Sequence, residues 1–191
     1  IAVSYDVTDN FLAYASYNKG YKAGGFNSSL DENGALLAVE PEENNSYEVG
    51  FKSDFANGRA RLNAAAFWSD YSDLQVEVQN GASFNILNVA DAEIFGLEAE
   101  TVFLLSEGLQ LQMAYTYLDT EQQNADATGT SGEELPFAPE NSFSASANYN
   151  VDLGPGRLDM QANYSHTAKQ WNSINASLAP DLFSDAHGLL D

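Results

Sequence analysis

Glu98 and Glu100 stand two residues apart, and on an extended strand that spacing puts both carboxylates on one face, about 7 Å from each other. A carboxylate pair at such a separation can cleave a glycosidic bond, one group protonating the leaving oxygen while the other attacks or activates water. Nothing else in the chain supports that chemistry. There is no Gly-x-Ser-x-Gly turn to present a nucleophile. The two histidines, His166 and His187, have no ligand-type spacing to carboxylates. Cysteine is absent, which removes zinc-thiolate sites and disulfide frameworks together. An enzyme is not expected, and neither is a bound metal or cofactor.

The remaining polar residues suggest surfaces and loops. Glu48 joins Glu98 and Glu100 on the polar side of alternating segments, as a charged lining or as a plain solvated face. Glu40, Glu42, Glu43, Glu133 and Glu134 cluster in or beside long polar stretches without calcium-loop spacing, which reads as solvated loop charge. Gly24, Gly25, Phe26 and Asn27 form a candidate ligand-contacting loop, since paired glycines reach backbone angles that other residues avoid. Acidic residues outnumber basic ones 28 to 7, for a formal charge of −21, so a nucleic-acid partner is excluded for want of a basic surface.

These groups must be positioned by strands. Four clusters of turn residues, VTDN (7–10), FANG (55–58), LSEG (105–108) and LGPG (153–156), recur roughly every 49 residues. Between them lie longer polar stretches at 23–43, 79–84, 120–139 and 172–185, so short and long connections alternate as in an up-and-down meander. The segments between connections have period two. In 143–153, Phe143, Ala145, Ala147, Tyr149 and Val151 alternate with Ser144, Ser146, Asn148 and Asn150. Segments 46–55, 59–70, 94–103, 109–118 and 157–167 repeat the pattern. In 11–18 the apolar row is Phe11, Ala13, Ala15 and Tyr17, although Leu12 and Tyr14 blur it.

A soluble sandwich and a membrane barrel both use such strands. Strand length, dense Ser/Asn/Gln/Thr rows and aromatics near strand ends favour the barrel, with tight turns periplasmic and long loops extracellular. Trp68 and Trp171 are then expected as interfacial anchors, and Glu48, Glu98 and Glu100 as lumen-facing. Arg59, Arg61 and Arg157 flank two short turns at the periplasmic rim. No run of about 18 apolar residues marks a membrane helix.

Five strings in order resemble the β-barrel domain of TonB-dependent outer-membrane receptors: YNKGYKAGGFN (17–27), PEENNSYEVGFKSDF (41–55), RLNAAAFWSDYSDLQV (61–76), NVADAEIFGLEAE (88–100) and LPFAPENSFSASANY (135–149). The resemblance implies an all-β, antiparallel, up-and-down transmembrane barrel of 22 strands, of which residues 1–191 would supply eight to nine. The family's N-terminal plug, TonB box and closing strand are not among these residues. It further implies integral residence in the bacterial outer membrane, contact with lipid and lipopolysaccharide, and coupling to a TonB complex through the plug. The ligand would be a scarce small molecule, by default a ferric siderophore, captured by loops 23–43 and 120–139. A passive porin-like channel and a soluble β structural or adhesion module are the alternatives that the strand pattern alone leaves open.

Overall fold

Every segment with alternating apolar and polar residues becomes an antiparallel strand. The computed structural model describes residues 1–30, 34–80, 83–123, 132–172 and 182–191, without the side chains of 78–80, 83–84 and 89. Its strands are β1 (Ala2–Thr8), β2 (Phe11–Lys22), β3 (Gly25–Leu30), β4 (Leu36–Val39), β5 (Glu42–Phe55), β6 (Ala60–Asn80), β7 (Ser83–Leu104), β8 (Leu109–Gln123), β9 (Asn141–Asp152), β10 (Arg157–Thr167), β11 (Gln170–Trp171), β12 (Phe183–Ser184) and β13 (His187–Leu190). Nine of them form one open sheet in the order β1-β2-β5-β6-β7-β8-β9-β10-β13, and β3-β4 and β11-β12 are separate two-stranded ribbons.

The sheet is a single layer. Among the described residues the buried apolar side chains are only Val39, Ala60, Ala90 and Ala92. Val49, Leu97, Met160 and many other large apolar residues stand exposed. A soluble sandwich would cover that face with a second sheet. Here it is left bare over an area that water tolerates poorly and lipid favours.

Register sorts the two faces. Tyr17, Tyr47, Trp68 and Phe95 are successive partners across β2, β5, β6 and β7, and they form one aromatic row on the apolar side. Tyr17 and Tyr47 lie 5.0 Å apart between ring centres, and Tyr47 and Trp68 5.6 Å. Toward the tight turns a second belt holds Phe11 against Phe51 at 5.4 Å and Phe55 against Phe103 at 6.2 Å. From Tyr47 to Phe55 the strand rises about 27 Å, or roughly 20 Å once tilted, close to the apolar band of an outer-membrane barrel. Leu12 and Tyr14 fall on the polar side, which resolves the ambiguity of that segment.

All four tight turns lie at one end. In the β5–β6 turn Ala56, Asn57 and Gly58 take φ of 53°, 57° and 78°. Arg59 then reaches across to the neighbouring turn: its Nε donates to Leu104 O at 3.0 Å, and Nη2 donates to Leu104 O and Leu105 O at 2.8 Å each. Arg61 pairs with Asp54 at 2.7 Å and Arg157 with Asp159 at 2.8 Å, so these rim cations are occupied within the chain.

The other end departs from expectation. The stretch 79–84 was expected as a long polar loop, yet β6 and β7 stay paired to Asn80 and Ser83. Their bulges at Tyr71–Leu74 and Leu74–Gln75 bring Leu74 opposite Ala90, where Leu74, Val76 and Leu87 pack on Ala90. This apolar cluster holds the hairpin together about 20–25 Å past Trp68, and the paired strands run on to about 40 Å at Asn80. The stretch 23–43 contains the β3-β4 ribbon, and β8 runs on into 120–139, where 124–131 lie outside the described residues. Trp171 belongs to the β11-β12 ribbon, where it meets Phe183 edge-on at 5.8 Å under the Lys169 ammonium, so it is not part of the girdle. Within 172–185, residues 173–181 are likewise outside the description.

Candidate functional site: the polar wall and the outer hairpins

The polar face of β5, β6 and β7 brings Glu48, Glu98 and Glu100 to one side of the sheet, as their alternation requires. Tyr14, Gly50, Ala65 and Glu98 are consecutive partners in one row, and Leu12, Lys52, Asn63 and Glu100 in the next. The Tyr14 ring lies across Gly50, where a Cβ would come within 2.6 Å of its hydroxyl oxygen and 2.7 Å of Ala64 O. From that position the Tyr14 hydroxyl faces the Glu48 carboxylate, with the Glu98 charge nearby. Phe67 lies in the same way over Gly96, so closely that a Cβ there would collide with its ring. Glycine on one strand thus makes room for an aromatic side chain from the next, and the two rings fix the carboxylates' surroundings. Among the described residues no cation pairs with Glu48, Glu98 or Glu100; the ion pairs of the chain lie at its two rims.

On β8, β9 and β10 the same face changes character. Its inner positions from Gln110 to Leu118, Ser142 to Asn150 and Gln161 to Thr167 carry no charge. Ser146 Oγ donates to Asn163 Oδ1 at 2.9 Å and Gln161 Nε2 donates to the same oxygen at 3.0 Å. A shallow recess of about 450 Å³ lies along this tract, bordered by Glu100 on one side and Asp191 on the other.

Beyond the aromatic row, side-chain amides join the long hairpins. Asn27 Nδ2 donates to Ile86 O and Ile86 N donates to Asn27 Oδ1, both at 2.8 Å. The reverse arrangement occurs at Asn88, which accepts from Glu40 N at 2.8 Å and donates to Glu40 O at 3.0 Å. Gln75 Nε2 adds bonds to Ala23 O and Glu40 O. Glu42 Oε2 accepts from Gln75 N at 2.9 Å. Lys19 pairs with Glu43 at 2.8 Å, and that carboxylate holds the ammonium above the usual lysine pKa.

Of the four candidate ligand-loop residues, Gly24 lies hard against Val39 O and Asn27 is committed to Ile86. Gly25 is open and Phe26 is 72% exposed, on the opposite side of β3 from Asn27. The Asn88 and Gln75 contacts were not anticipated from sequence, because side-chain-to-backbone pairing has no periodicity to betray it. Among the described residues no group of three His, Asp or Glu side chains converges as a metal site.

Comparison with known proteins agrees with this arrangement. The chain is 29% identical over 147 residues to the ferrioxamine B receptor of Salmonella typhimurium, covering 76% of this chain and 20% of that protein. The chain therefore spans about a fifth of the length of such relatives. The ferric yersiniabactin uptake receptor FyuA of Yersinia pestis superposes with a TM-score of 0.84 at 21% identity, over 100% of this chain and 28% of that one. The ferripyoverdine receptor of the outer membrane of Pseudomonas aeruginosa does so with a TM-score of 0.68 at 21% identity, over 99% and 25%. Both likenesses concern the fold. The profile of the TonB dependent receptor-like β-barrel family matches residues 1–191, end to end, and the chain belongs to that family.

Proposed function

We propose that these residues form part of the wall and outer loops of an outer-membrane receptor that takes up a ferric siderophore with energy from a TonB complex. The reading rests on one observation above all: a one-layer sheet of this family has an apolar, aromatic-belted face on one side and a hydrated polar face on the other. The apolar face meets lipid, and the outer hairpins meet lipopolysaccharide and ligand. Relatives whose names specify ferrioxamine B or pyoverdine point to an iron chelate as cargo.

Glu48, Glu98 and Glu100 take part as fixed negative charges on the wall. Forming no ion pair among the described residues, they suit basic side chains of a plug domain held in the lumen. Phe26, exposed near the base of a clasped ribbon, is the member of the loop best placed to touch ligand.

The test is uptake of radio-iron by iron-limited cells carrying or lacking the full-length gene, offered ferrioxamine B and pyoverdine in turn. Gene-dependent uptake that a protonophore abolishes is expected. Gene-dependent uptake that persists without energy would favour the passive channel, and a full-length protein that stays soluble without detergent would favour the structural module.

A further inference from the structure

The polar wall is divided. On β5, β6 and β7 it carries Glu48, Lys52, Glu98 and Glu100, with Tyr14 and Phe67 laid over glycines of the neighbouring strands. On β8, β9 and β10 it carries hydroxyls and amides, interrupted only by Ala114 and Leu118, with no charge between the rims. In a chain with 28 acidic residues, a charge-free inner surface three strands wide is a strong local departure.

The two halves suit different occupants. Charges in a confined, water-poor space interact over several kcal/mol, so a charged wall holds a matching partner firmly and repels or traps a mobile ion. Hydroxyl and amide groups give many weak contacts that water can replace, which is what a moving solute requires. The recess of about 450 Å³ against Gln112, Ser144, Ser146, Asn163 and Ser165 adds room on the neutral side. We infer that the transiting solute, a hydrophilic chelate of neutral or negative charge, passes along the β8–β10 wall while the plug stays anchored on β5–β7. This rests on the energised-uptake reading and adds to it the side of the lumen that opens.

The experiment uses the full-length receptor in iron-starved cells, with single cysteines in a background otherwise free of them. Ser146→Cys and Asn163→Cys report the neutral wall, and Asn63→Cys and Ala65→Cys the charged one. The probe is a sulfonated, membrane-impermeant maleimide, applied with and without a protonophore. Labelling of Ser146→Cys and Asn163→Cys is expected to speed up roughly fivefold or more in energised cells, while the other two positions change less than about twofold. A rise at the charged wall, or equal rises at both, would overturn the inference and leave energised uptake standing. A plug that rests against the neutral wall would show itself by the first of these results. Equal labelling with and without energy at all four positions would overturn both.

Discussion

The Asn27 side chain stands in for a strand residue: its amide exchanges two hydrogen bonds of 2.8 Å with the N–H and C=O of Ile86. Asn88 returns the arrangement to Glu40, so the β3-β4 ribbon and the β6-β7 hairpin hold each other. Asn27→Ala removes both bonds from Ile86 and should loosen the ribbon by about 1–2 kcal/mol without affecting the nine-stranded sheet. Amide exchange at Ile86 should accelerate, while heat-modifiable migration of the full-length receptor stays unchanged. Unaltered exchange at Ile86 would show that the clasp contributes nothing.

The two glycine-aromatic contacts should respond differently to repair. Gly96→Ala meets the Phe67 ring first and should cost about 1–3 kcal/mol, with much of it recovered in Gly96→Ala/Phe67→Ala. Gly50→Ala also meets Ala64 O, a backbone atom, so Tyr14→Ala should not rescue it. Urea titrations in lipid vesicles give both cycles.

Facing can be tested with neighbours on β9. Ala147 lies on the apolar side near the middle of the strand and Ser146 on the polar side, where it donates to Asn163. Ala147→Arg should cost about 2–4 kcal/mol and Ser146→Arg far less. Equal penalties would refute the assignment of faces.

Arg59 bonds two carbonyls of the adjacent turn with a fork that lysine cannot reproduce. Arg59→Ala and Arg59→Lys should each lower stability by about 1 kcal/mol, to a similar extent. Recovery by lysine would reduce the contact to simple charge.

Much of this was legible in the sequence for one reason: a one-layer wall writes both its faces into alternate residues. Tyr47, Val49 and Phe51 against Glu48, Gly50 and Lys52 gave facing, register and the shared face of the carboxylates. The outer end was harder to read. Asp73, at φ 56°, lies in the bulge that shifts β6 against β7, and the alternation that continues through Leu74 and Val76 no longer belongs to the same wall. The ribbon GFNSSL looks like loop by composition; pairing with β4 makes it a strand, and Asn27 meeting Ile86 and Ser29 meeting Asn85 give it a fixed place. That Tyr14 and Phe67 lie over Gly50 and Gly96 likewise depends on partners about thirty to forty residues away in the chain.

The scarcity of buried apolar side chains among the described residues also bears on inheritance. A packed interior couples the volumes of many residues, and a change at one position demands another elsewhere. A wall whose buried apolar residues, among those described, are Ala60, Ala90 and Ala92 imposes few such demands outside its aromatic-over-glycine contacts. Substitutions that respect the alternation can accumulate independently, strand by strand, while the backbone ladder keeps its shape. Distant descent with a preserved outline is the expected history of such a surface.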